Sequence, residues 1–143
     1  MIEYINHKDK VFSIIIRRQF KKDGIEFFTP GEFSQQLAYM KRRAGYSIAP
    51  HIHKPAPREV RLTQEVLFIK SGKVRVDFFD DQEKYLESRV LNSGDVILLA
   101  DGGHGLVMLE ESEIIEVKQG PYLGEEDKRR FALVEENQIK VKE

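Results

Sequence analysis

Turn residues cut this chain into pieces too short for anything but a β-protein. Lys22-Asp23-Gly24, Thr29-Pro30-Gly31, Ser71-Gly72, Asp80-Asp81, Asn92-Ser93-Gly94 and Asp101-Gly102-Gly103 recur at hairpin or meander spacing, and the runs between them are rich in β-branched and aromatic side chains. Few windows sustain the 3.6-residue apolar stripe of an amphipathic helix. Strands are expected over Phe12 to Arg17, Ile25 to Phe28, Gln35 to Lys41, Tyr46 to His53, Val60 to Leu62, Glu65 to Lys70, Lys73 to Phe79, Lys84 to Leu91, Asp95 to Leu99, Gly105 to Glu110 and Ser112 to Val117. So many short strands bury their faces only as a sandwich or a barrel. Lys54-Pro55-Ala56-Pro57-Arg58 breaks the rhythm, because two prolines without amide donors exclude a central strand.

A length of 143 residues allows one domain whose core needs neither metal nor disulfide to hold it. With 23 basic against 24 acidic residues the formal net charge is −1, which gives no general basic field for nucleic acid. No cysteine is present, so disulfides, thiolate metal sites and cysteine nucleophiles are excluded. The opening MIEYINHKDK lacks the basic start and apolar stretch of a leader, and Val96 to Ala100, the longest wholly apolar run, is far short of a bilayer span. A soluble, cytoplasmic protein with no membrane partner is the expectation. The end of the chain, Glu125 to Arg130 followed by Val134 to Glu143, mixes both charge signs; its first part has the acids-then-bases order of a short helix, but the preferred reading is a solvated terminal appendage.

Chemistry concentrates in three histidines and one glutamate. His51 and His53 stand at i and i+2, so an extended backbone turns both imidazoles to one face. Such a pair on its own is more often a hydrogen-bonded polar pair on a sheet than a metal site. Glu65, however, shares its strand parity with Leu67 and Ile69, which puts a carboxylate on an apolar face where it needs a partner. Arg75 is a candidate partner, although alternation places it opposite Val74 and Val76. Asp101-Gly102-Gly103-His104-Gly105 then presents a third imidazole at a glycine turn, while His7 lies in a polar terminus that reads as frayed. Together His51, His53, Glu65 and His104 form a set of three nitrogens and one oxygen, suited to one divalent transition metal ion (Zn, Fe, Mn, Ni, Co or Cu) and too rich in nitrogen for Mg²⁺ or Ca²⁺.

Gly45-Tyr46-Ser47-Ile48-Ala49-Pro50-His51-Ile52-His53, followed by Glu65 and Gly72, resembles the first motif of the cupin superfamily, and the stretch from Gly94 to His104 resembles the second. The gap from His53 to Glu65 is longer than the common cupin spacing, Ala100 stands where many cupins have proline, and His104 comes one place early. Ile115 to Phe131 resembles the segment that closes the cupin domain of type II phosphomannose isomerases, which differ from this chain around the first histidine pair. The resemblance implies an all-β double-stranded β-helix, a jelly-roll or cupin barrel with short terminal extensions: N-terminal strands at 1–34, the core at 35–120 and a tail at 121–143.

The function it implies is that of a metal-dependent cupin, isomerase- or epimerase-like, acting on a sugar phosphate, a nucleotide sugar or another small polar metabolite. A non-catalytic metal- or metabolite-binding cupin and an Fe(II)-dependent oxygenase are the alternatives. His51, His53, Glu65 and His104 would hold the ion, with Glu65 moving protons. Lys54, Arg58 and Arg61, beside Lys41, Arg42 and Arg43, are candidate phosphate donors, and Gln36 and Tyr39 are candidate pocket residues. With three histidines assigned to the ion only the terminal His7 remains, and no His-Asp dyad of the deoxysugar-epimerase kind is seen. A homodimer is expected, since Ile14-Ile15-Ile16 and Phe27-Phe28 supply more apolar strand than one barrel needs to bury; the alternative is that these strands extend the chain's own sheets.

Overall fold

Glycine and aspartate at the turns decide where the strands end. In the computed structural model, which describes residues 1–143, ten short strands form three antiparallel sheets. In spatial order β1 (Ile2–His7), β2 (Lys10–Ile16), β8 (Val96–Leu99), β5 (Glu65–Ser71) and β10 (Glu113–Lys118) make the largest. A three-stranded sheet runs β7 (Tyr85–Asn92), β6 (Lys73–Phe79), β9 (Gly103–Met108), and β3 (Gly24–Phe27) pairs separately with β4 (Ala38–Lys41). Only Gly72 separates β5 from β6. Its φ is 86°, and a Cβ there would strike the Glu111 carbonyl and the Ser112 hydroxyl, so no other residue makes this crossing without strain. At the turn into β8, the buried Asp95 carboxylate accepts from the backbone amides of Asn92 and Arg18 and from the Arg17 guanidinium.

The main core lies between the two larger sheets. Ile15, Leu67, Ile69, Ile97 and Leu99 from one face Val74, Val76, Phe78 and Leu91 from the other, as the period-2 pattern requires. On the outer face of the five-stranded sheet, Ile14, Ile16 and Leu98 pack with Phe28 and Leu37 under the β3–β4 pair. Ile14, Ile15 and Ile16 are therefore buried on both faces within one chain: their strand extends the chain's own sheet, the alternative to a second subunit covering them. Of the phenylalanine pair only Phe27 is exposed; Phe28 is buried.

Three expectations are corrected. The polar terminus is strand β1, because Ile5 enters the main core and Glu3 forms ion pairs with Arg17 and Arg89. Tyr46 to His53 and Val60 to Leu62 form no strands: residues 42–62 are irregular and exposed throughout. The tail is no solvated appendage. Phe131 packs edge-on against Phe79 and Glu136 pairs with Arg75, so the tail straps the outer face of the three-stranded sheet, and Val141 then bridges to Ser88 along the free edge of β7. Its helical content is limited to short 3₁₀ turns at Gly124–Asp127 and Glu136–Gln138, and no helix is long and apolar enough to cross a membrane.

Candidate functional site

Strand parity and register assemble four ionisable groups at one end of the main core. Glu65 opens β5 on the inward face it shares with Leu67 and Ile69. Lys118, the last residue of β10, is its direct cross-strand neighbour, and Glu116 lies two residues back on the same face. His104 comes from β9, where it sits opposite Phe78 of β6 and points inward as that residue does. The geometry at its root depends on Gly102, whose φ is 72° and whose added Cβ would run into the Phe12 ring. That turn aims the imidazole at β5. His104 Nε2 is 3.7 Å from Glu65 Oε2, Lys118 Nζ is 3.8 Å from Glu65 Oε1, and Lys118 Nζ is 3.3 Å from Glu116 Oε1.

Burial shifts the two central groups toward each other. Desolvation, helped by the neighbouring Glu116, raises the pKa of Glu65 against the opposing pull of Lys118. Desolvation lowers the pKa of His104, and Lys118 and Lys128 push it the same way while Glu116 opposes. The two carboxylates hold the Lys118 ammonium charged. An acid raised and an imidazole lowered, 3.7 Å apart, are brought closer in proton affinity, which favours acid and base work on a bound molecule.

These groups line a cavity of about 580 Å³, within the range of small-molecule sites. Its wall is mostly polar or charged and includes Thr63, Asp77 and the tail residues Lys128, Arg129 and Arg130, with Phe79 and Phe131 as the aromatic part. Arg129 is paired with Glu83 and Arg130 with Glu125, while Lys128 has no ion-pair partner.

The structure brings together two of the four residues expected to hold a metal. Glu65 and His104 meet; His51 and His53 lie in the exposed stretch 42–62, with their rings 5.0 Å apart and His51 Nδ1 hydrogen-bonded to the Ala49 carbonyl. No group of three or more histidine, aspartate or glutamate side chains is gathered within the chain in a way that could hold a metal ion. Arg75 is not the partner of Glu65, because parity puts it on the outer face, where it pairs with Asp77 and Glu136.

The expected ligand-binding residues lie elsewhere. Lys54 and Arg58 are exposed in the same stretch, and Arg61 pairs with Glu59. Gln36 donates to the carbonyls of Pro30 and Phe33 and so closes the turn before β4. Tyr39 packs edge-on against Phe20 in the outer core. The residues the sequence reading passed over are Glu116, Lys118, Lys128 and Phe131. The signal for the first two was present: along β10, Ile114, Glu116 and Lys118 alternate on one face just as Glu65, Leu67 and Ile69 do along β5. Comparison with family models, curated proteins and solved structures finds no match to this chain.

Proposed function

We propose that the cavity binds a small polar, anionic metabolite and that Glu65 and His104 move a proton on it, in an isomerase- or epimerase-like reaction on a sugar phosphate or nucleotide sugar. The observation that carries this reading is the Glu65–His104 contact, 3.7 Å, inside a mostly polar cavity. Two facing antiparallel sheets with the cavity at one end of their shared core support a small double-stranded β-helix of the cupin kind. On a hydroxy-carbonyl substrate, Glu65 takes the proton from the carbon beside the carbonyl and returns it to the neighbouring carbon. The Lys118 ammonium stabilises the oxyanion that forms between those steps, and His104 carries the proton between the two oxygens. Lys128, with no ion-pair partner, is the cation available to a phosphate.

A divalent ion of the kind cupins hold would draw on His51, His53, Glu65 and His104. As one chain arranges them they do not fit it: two are adjacent, the other two stand outside the cavity, and an ammonium lies 3.8 Å from the carboxylate. The proton chemistry above rests on the side chains alone.

Thermal shift tests the reading, with hexose phosphates, nucleotide sugars, simple carboxylic acids and inorganic phosphate added to wild type and to Glu65→Gln and Lys128→Ala. A ligand at about 100 times its dissociation constant stabilises by ~2.7 kcal/mol, a clear rise in melting midpoint for a domain of this size. Sugar phosphates or nucleotide sugars should give that rise, and Lys128→Ala should reduce it. Stabilisation by carboxylic acids alone, or equal shifts in all three proteins, overturns the proposal.

A further inference from the structure

A second cavity opens on the outer face of the five-stranded sheet. It measures about 420 Å³, within the range of small-molecule sites, and shares no lining residue with the first. The two cavities divide the approach to β5 between them. Thr63 and Glu65 line the first and Gln64 the second, as alternation requires. Val11, Phe33 and Ala100, at the margin of the outer core, give the second cavity an apolar base, and the exposed Val60 and Leu62 add to its wall.

Gln64 is the polar group at this base, and it is only 3% exposed. Its Oε1 accepts from the Gln35 backbone amide at 3.0 Å and from the Ser34 hydroxyl at 3.2 Å. A backbone N–H donates and never accepts, so the Gln35 contact decides which end of the carboxamide is oxygen. The Nε2 end is left with two hydrogens and no acceptor from the chain. Nor is it sealed in the interior, where His7 Nε2 is the single unpaired side-chain atom; it opens on the cavity. An oxygen placed there gains a hydrogen bond at a site that already excludes most water.

Charge narrows the ligand. Both cations of the cavity are taken, Lys10 by Asp101 at 3.6 Å and Arg61 by Glu59 at 2.8 Å. The other two carboxylates, Asp9 and Glu32, are exposed and make no ion pair. We propose that this cavity binds a small organic cation, an aliphatic ammonium compound. Its apolar body lies against Val11 and Phe33, its carbonyl or hydroxyl oxygen accepts from Gln64 Nε2, and its ammonium meets Asp9 and Glu32. Exposed carboxylates contribute little singly, so they select the sign of charge, while Gln64 and the apolar base set the orientation. The site stands apart from the proton chemistry of Glu65 and His104 and does not rest on it.

Leucinamide carries all three features, a branched apolar chain, an ammonium and a carboxamide oxygen, and is the probe. Isoamylamine keeps the chain and the ammonium without the oxygen; isocaproamide keeps the chain and the oxygen without the ammonium. Each is titrated into isotope-labelled protein at about pH 6.5, where the amines are charged, and followed by NMR. Leucinamide should move the side-chain amide signals of Gln64 and the backbone amide of Ala100 saturably, and leave those of His104 and Lys118 in place. The other two compounds should bind about fivefold more weakly, as one neutral hydrogen bond or two exposed charge pairs allow. Asp9→Asn/Glu32→Gln alters only exposed carboxylates without ion pairs, so it should fold as wild type and weaken leucinamide by the same factor. No saturable shift at Gln64, equal binding of the three compounds, an unchanged affinity in the double variant, or shifts centred on His104 would each overturn the proposal.

Discussion

Two buried carboxylates border the same cavity from different sheets, and their surroundings differ in kind. On the outer face of the three-stranded sheet, Asp77 is held by the Arg75 guanidinium through two hydrogen bonds and by the Ser88 hydroxyl, and the tail closes over them with Glu136 on Arg75. At the end of the main core, Glu65 has an ammonium at 3.8 Å, an imidazole at 3.7 Å and an open cavity in front of it. The first arrangement pairs a charge as completely as side chains allow. The second leaves a carboxyl under-paired and its pKa raised, a state that folding alone does not favour and that a bound molecule can exploit.

Removing one partner on each side breaks the comparison most sharply. Arg75→Ala leaves Asp77 buried without a cation and releases the tail, so a loss of about 3–5 kcal/mol is expected from chemical denaturation. Glu65→Gln removes a charge that burial already opposes, and its effect should stay within about 1 kcal/mol of wild type while ligand-induced stabilisation disappears. A loss from Glu65→Gln as large as that from Arg75→Ala would show that Glu65 is structural.

Next in size is Gly102→Ala. Its Cβ meets the Phe12 ring in a left-handed backbone conformation, so about 2 kcal/mol of stability should go, together with the alignment of His104, seen as a shifted imidazole titration by NMR.

The pH dependence sharpens the contrast within the open site. His104 titrates below 6.5 when folded, so the unfolded chain takes up a proton first and stability falls as pH drops through that range. Glu65 titrates above 4.5 when folded, so the folded chain keeps a proton the unfolded chain has lost, and stability falls as pH rises from there. Between these values the two slopes oppose each other. His104→Asn should leave stability falling with pH over this window and Glu65→Gln should leave it rising, both measured by denaturation at fixed ionic strength; parallel profiles would refute the shifts. The smallest effect belongs to the rim: Arg129→Ala, which breaks an exposed pair with Glu83, should change stability by no more than about 0.5 kcal/mol.

Alternation and turn chemistry account for what was readable in advance. Nine of the strands follow from apolar runs bounded by residues such as Gly72 and Gly94, and the inward parity of Glu65 follows from Leu67 and Ile69. Strand β1 is not legible in the sequence because Ile5 is its one fully buried residue, and its other supports, Arg17 and Arg89, are distant in sequence. The pattern from Tyr46 to His53 is that of a strand, but pattern records only which faces differ. Whether an edge in the same chain takes that strand up is a matter of tertiary geometry, and here none does.

What the sequence determined by itself is therefore local: an all-β chain, its turns, the faces its strands bury and the presence of an inward carboxylate. These depend on a period of two and on glycine's access to positive φ, both fixed within a few residues. Which groups meet that carboxylate was decided only by the folded chain. Lys118 reaches Glu65 through the β5–β10 register and His104 through the packing of one sheet on the other, while His51 and His53, adjacent to Glu65 in the motif, stand away from it. Contacts between strands far apart in sequence depend on how whole sheets bury their area against each other, a sum over many residues that no single motif contains.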